Sequence, residues 1–74
     1  MTLDDVKPGQ ECRIIDVKLG GVTGQRLSDM GFISGTKITV IRNAPLADPV
    51  DLLIRGTHVG VRHAEAKGVE VELL

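Results

Sequence analysis

Tryptophan and tyrosine are missing from this sequence, and Phe32 is its only aromatic residue. A groove for proline-rich peptides needs aromatic walls, and sequence-tolerant binding of single-stranded nucleic acid needs stacking platforms, so neither can be built here. Basic residues are not in excess: 9 Lys and Arg stand against 10 Asp and Glu, a net charge of −1. A protein held on phosphates carries a basic patch or stripe, and nucleic acid is therefore not expected as a partner. Cys12 is the sole cysteine. It leaves no internal disulfide and is compatible with a reducing compartment. No apolar run approaches the roughly 18 residues that suggest a membrane span. The acidic start, "MTLDDVKPG", has no apolar stretch of the kind a secretory signal needs. A cytoplasmic protein without direct membrane insertion is expected.

What is present is aliphatic. Hydrophobic residues make up 42% of 74 residues, enough for one small domain spanning 1–74 with a core of Val, Ile and Leu. At this size the margin of stability is small, and self-association would add to it. Pro8 and Gly9 mark a turn that launches "CRIIDVKLG". In that stretch Ile15, Val17 and Leu19 share one phase and Cys12 and Ile14 the other, so a bulge or a change of face is built in. "KITVIR" alternates with Ile38 and Val40 inward, and "VDLLIR" with Val50, Leu52 and Ile54 inward. Gly56-Thr57 marks a hairpin turn into "HVGV". "RHAEAKG" is a helical turn closed by Gly68. "VEVELL" places Val69, Val71 and Leu73 inward and Glu70 and Glu72 outward, and its free edge invites association.

Between the first two strands, "QRLSDMGFISG" describes a short helix with a defined stop. Thr23 is the expected N-cap. With Met30 last in the helix, Gly31 takes the left-handed position and Phe32 packs back on Leu27. Ser34-Gly35 turns the chain into the next strand. The sum is a mainly β chain: a small SH3-like barrel of about five to six strands with a short capped helix.

Chemical motifs are weak. "GGVTGQ" lacks the Gly-Lys-Ser/Thr ending of a phosphate loop. Ser28, His63 and Asp48 make a triad only on paper, because no serine sits in a nucleophile elbow. Glu65 beside His63 has no deep pocket to serve as an acid–base pair, so no enzyme is expected. Cys12, His58, His63 and Glu65 are the available soft, imidazole and nearby carboxylate metal ligands, but their spacing matches no metal motif. Both histidines are expected at the surface and Cys12 as a small apolar filler. "RNAPLADPVD" holds Leu46 between two prolines, either as a docking element or as an incidental loop tip.

Three groups of residues carry a family likeness: Arg26-Leu27 with Met30-Gly31-Phe32 and Gly35; Ala44-Pro45-Leu46 with Asp48-Pro49; and Arg62 with Glu65-Ala66. In this order and spacing, from about Pro8 to Leu73, the chain resembles the FeoA family of bacterial ferrous iron transport. Ser34 stands where that family often has proline, and Val61 where leucine is common. The resemblance implies an SH3-like barrel and no catalytic residue. It implies an accessory to a membrane ferrous iron permease of the FeoB type, docked on its cytoplasmic GTPase-containing part and thereby brought to the inner face of the membrane. The expected contacts are Met30 and Phe32, where the core does not need them, with Pro45 and Leu46. No resident cofactor is implied. The alternative is a weak divalent-metal module, taking ferrous iron or adventitious zinc through Cys12, His58, His63 or Glu65. The arginines at 26, 42, 55 and 62 leave open a charge-stabilising role toward the GTPase.

Overall fold

The computed structural model describes all 74 residues. Five antiparallel strands form one curved sheet: β1 Glu11–Val17, β2 Lys37–Arg42, β3 Val50–Ile54, β4 Thr57–Val61 and β5 Val69–Leu73. Their order is β4-β3-β2-β1-β5, so β2 is central, β1 lies between β2 and β5, and β4 and β5 are the edges. Helix α1 (Gly21–Asp29) connects β1 to β2, and the single-turn helix α2 (His63–Ala66) connects β4 to β5. The architecture is the expected mainly β, SH3-like one, with five strands.

Each strand gives alternate residues to one apolar core. Ile38 and Val40 of β2, Val50, Leu52 and Ile54 of β3, and Val69 and Val71 of β5 are all buried. In β1 both phases of the sequence pattern are used in turn. Cys12 and Ile14 are buried, the register shifts between Ile14 and Asp16, and Val17 then returns to the core. Ile15 is the extra residue at that bulge and is 40% exposed, so it does not join the inward face expected of it. A second shift lies between Val40 and Arg42, and Ile41 is likewise turned out. Leu73 pairs with Cys12 but lies at the rim, 46% exposed, because the strand outruns the core there.

Helix α1 starts earlier than expected. Its N-cap is Gly20, and Thr23 falls inside the first turn. Its end follows the sequence closely. Met30 is the C-cap, and Gly31 follows at φ 99°. The Gly31 N–H donates to the Ser28 carbonyl at 3.0 Å and the Phe32 N–H to that of Leu27 at 3.0 Å. These are the paired bonds of a Schellman motif. They aim Phe32 into the core, where it is buried with Leu27. Ile33 to Thr36 then form a turn with Gly35 at φ 92°, and the Gly35 N–H reaches the Ile14 carbonyl of β1 at 2.7 Å.

The first residues contribute more than the sequence pattern indicated. Leu3 opens a 3-10 turn (Leu3–Asp5), Val6 follows it, and both are fully buried. The Asp5 carboxylate accepts from the Thr2 N–H at 2.9 Å and fixes that turn. The same segment covers the outer edge of β5: the Val71 N–H donates to the Met1 carbonyl at 3.0 Å, and Thr2 bridges to Glu70. The edge left bare is therefore β4, and not the "VEVELL" edge expected. Its hairpin turn is Arg55-Gly56, with φ of 51° and 77°, one residue before the expected place.

Gly24 tests the packing at the helix entry. A Cβ there would stand 2.1 Å from the Leu19 carbonyl oxygen. Gly-to-Ala inside a helix is ordinarily stabilising by about 0.8–1 kcal/mol. Here Gly24→Ala is expected to lower the urea midpoint, the reverse of the helix propensity; a raised midpoint would show that the entry relaxes freely.

Candidate functional site

The loop between β2 and β3, residues 43–49, carries the most exposed apolar side chain and is tied to the body by several hydrogen bonds. Pro45 and Leu46 are the central residues of a turn closed by the Ala47 N–H on the Ala44 carbonyl at 3.1 Å. Proline suits the second position of such a turn because its φ is already fixed there. Leu46 projects with its side chain wholly in solvent. The Asp48–Pro49 peptide bond that leads into β3 is cis.

Two side chains hold this loop to the body. Asn43 donates its amide to the carbonyls of Asp4 at 3.0 Å and Val6 at 2.9 Å, joining the loop to the N-terminal turn. His63, the first residue of α2, is the other anchor. Its Nδ1 lies 2.5 Å from the Asp4 carboxylate, and its Nε2 lies 2.8 Å from the Ala44 carbonyl and 2.7 Å from that of Ala47. Its backbone N–H donates to Asp48 Oδ1 at 2.8 Å. A neutral imidazole has one N–H, yet both nitrogens face acceptors, so the doubly protonated ring is the form that satisfies them. The Asp4 hydrogen bond, followed by that of the Ala47 carbonyl, raises the His63 pKa above its ordinary value against the opposing effect of partial burial.

α2 is also tied to α1. Glu65 accepts from the Arg62 N–H at 3.1 Å and pairs with the Arg26 guanidinium. Partial burial works to raise the Glu65 pKa, but the Arg62 N–H and the Arg26 contacts together hold it below the usual carboxylate range. Arg26 thus has a structural partner.

The expected contact residues separate. Phe32 is buried, so the core needs it and it offers no surface. Met30 is half-buried and lines a groove with Ile33, Ile54, Arg55 and Val59. That groove is at the Ile54 end of β3, whereas the loop enters at Val50, a rise of about 13 Å away. Pro45 and Leu46 are exposed together.

The four metal-ligand candidates separate as well. Cys12 is inside the core, and burial pushes its thiol up to about 11. His58 is exposed on β4. His63 is not a surface histidine: its side chain is 17% exposed and both ring nitrogens are engaged. Glu65 is held by Arg26 and the Arg62 N–H. No group of three His, Cys, Asp or Glu side chains converges as a metal site. Asp48 touches His63, but no hydrogen bond links Ser28 to either. Asp4 and Asn43, which fix the loop, had no signal in the sequence beyond being polar residues beside turns.

A model of the FeoA domain matches residues 1–73. A fusion protein of Fe(2+) transport protein A and the Fe(2+) transporter FeoB from Porphyromonas gingivalis is 39% identical over 74 residues, covering all of this chain and 9% of the fusion. The chain thus spans about a tenth of that relative. The solution structure of iron(II) transport protein A from Clostridium thermocellum is 34% identical, with a TM-score of 0.92 over the whole of this chain and 46% of that one. The crystal structure of Stenotrophomonas maltophilia FeoA, an SH3 domain protein complexed with zinc, is 25% identical, with a TM-score of 0.86 over 97% of this chain and 89% of that one.

The His63 anchor has a pH signature. Its folded pKa is raised, so its stabilising contribution is complete below the unfolded value of about 6.5 and is lost as pH rises through the folded value. The thermal midpoint is expected to fall between slightly acid and slightly alkaline pH, and His63→Gln to remove most of that slope. An unchanged slope in the variant would assign the pH dependence elsewhere.

Proposed function

The chain belongs to the FeoA domain family, and from that premise we propose that it is a non-catalytic accessory of bacterial ferrous iron uptake. It docks from the cytoplasm on the GTPase-containing part of a FeoB-type permease and biases its transport states. The observation that carries this proposal is Leu46: a wholly exposed leucine on a proline-bearing turn whose base is fixed by Asn43 and His63. An apolar side chain held out on a rigid loop loses little conformational freedom when a partner covers it, which favours docking. The fused relative supports the choice of partner, since fusion makes such an encounter intramolecular. No helix here is long and apolar enough to cross a membrane, so recruitment to the membrane goes through the permease. To alter transport, the domain must bind one state of the permease more tightly than another.

The alternative, a divalent-metal module, takes its support from the zinc complex of the Stenotrophomonas maltophilia relative. Against it stands the dispersal of Cys12, His58, His63 and Glu65 in this chain. The docking role is the better supported of the two.

Leu46→Asp tests the proposal. The side chain touches nothing in the fold, so stability should change by less than about 0.5 kcal/mol. Iron uptake should drop to the level of a strain lacking the protein. Amide shifts seen when the labelled wild type meets the isolated GTPase domain should vanish in the variant. Full uptake with an unchanged titration would remove the loop from the docking role.

A further inference from the structure

The two edges of the sheet are treated differently. β5 is covered by Met1 and Thr2, but nothing covers β4. A bare edge is usually defended by lysine, proline or an inward charge. "THVGV", Thr57 to Val61, has none of these. The two-residue turn makes Ile54 and Thr57 a mutually bonded pair, so Thr57, Val59 and Val61 direct their backbone groups to β3. His58 and Gly60 therefore point theirs outward, and no hydrogen bond from another element reaches them. Both residues are exposed.

We infer that β4 pairs with β4 of a second copy of this chain, antiparallel and centred on Val59, joining the two sheets into one. The register follows from elimination. Centring on Gly60 would need the Arg62 N–H, which Glu65 already holds. Centring on His58 would set two imidazoles side by side and use Gly56, inside the turn. Centring on Val59 opposes His58 to Gly60 of the other copy at both ends, and each pair exchanges two backbone hydrogen bonds.

The side chains fit this register. Gly60 has no side chain of its own; the Pro49 ring carbons, 3.0 and 3.2 Å from where its Cβ would be, pack over that position from within the chain, and the opposing His58 comes in from the outer side of the edge. Asp51 is its neighbour on β3, and the Asp51 Oδ1 lies 3.9 Å from where a Gly60 Cβ would be. The Cβ of the opposing His58 would sit about 4.5–5.5 Å from that same point. Its imidazole then reaches the carboxylate, whose present partner, Arg42, is 3.8 Å away and exposed. The pairing forms two such imidazole–carboxylate contacts, one across each end. On the other face Val59 meets Val59 of the second copy, extending the apolar groove beside Met30 and Ile54. Five residues per copy make a small interface, so association is expected to be weak.

The test combines sedimentation equilibrium with amide hydrogen exchange of the labelled chain, from dilute to millimolar concentration. The mean mass should rise toward twice that of the chain. The His58 and Gly60 amides should slow by tenfold or more, while those of Thr57 and Val59, already bonded to β3, should not. His58→Pro removes an outward N–H that the ladder does not use and should abolish the rise. His58→Asp, which sets a carboxylate against Asp51, should do the same without touching the backbone. A monomer at every concentration would overturn the pairing, as would association that leaves the two amides unprotected or survives both variants. Protection that appears only on adding the permease GTPase domain would give the edge to a strand of that partner instead. Leu46→Asp leaves the outward amides of His58 and Gly60 in place and should show the same rise in mass, so the pairing and the docking role fail separately.

Discussion

The imidazole of His63 gives one nitrogen to Asp4 and turns the other toward the carbonyls of Ala44 and Ala47. Those acceptors come from the N-terminal turn and the β2–β3 loop, and the ring itself from α2. No other side chain hydrogen-bonds across all three pieces. The Asn43 amide ties the first two directly, and Glu65 passes the restraint on to α1 through Arg26. The strands would still have a core without this junction, because their inward aliphatic residues do not depend on it. What the junction supplies is a fixed shape for the one loop that displays a bare leucine.

Much of the barrel was legible in the sequence because strand periodicity and turn chemistry are local. Val50, Leu52 and Ile54, the glycine stop at Gly31 and the return of Phe32 all follow from rules that span a few residues. Failures came where a distant partner decides. Leu3 and Val6 are buried because the far end of the sheet needs a plug, and their own neighbourhood, two aspartates and a lysine, gives little sign of it. Ile15 and Leu73 obey the apolar pattern yet face water, one because of a bulge and the other because its strand outlasts the core. Thr23 is a good capping residue placed one turn too late, behind Gly20 and Gly21, which start the helix first. His63 was least legible, since its acceptors lie 59, 19 and 16 residues away. Of the docking residues, Pro45 and Leu46 were visible as a loop signal. Whether Phe32 was surface or core could be settled only by the packing.

The two bulges share a consequence. Each shifts the register and leaves one isoleucine outward: Ile15 on β1, where the core phase passes from Cys12 and Ile14 to Val17, and Ile41 on β2. Bulges increase local twist, and a short sheet needs twist to wrap around a core that holds a single aromatic ring. Curvature achieved this way leaves apolar atoms on the convex side. The exposed isoleucines are a by-product of closing the barrel and not evidence of a further contact.

Cys12 sits on β1, an interior strand paired with β2 on one side and β5 on the other, with its thiol in the core and its proton held up to about 11. A reagent that attacks thiolates meets neither an accessible sulfur nor an ionised one while the barrel is closed. Its reaction must wait for β1 to part from a neighbour. The lone cysteine is therefore a built-in clock for that opening. The rate at which it is modified under native conditions counts excursions of the whole sheet, and not the breathing of the loops around it.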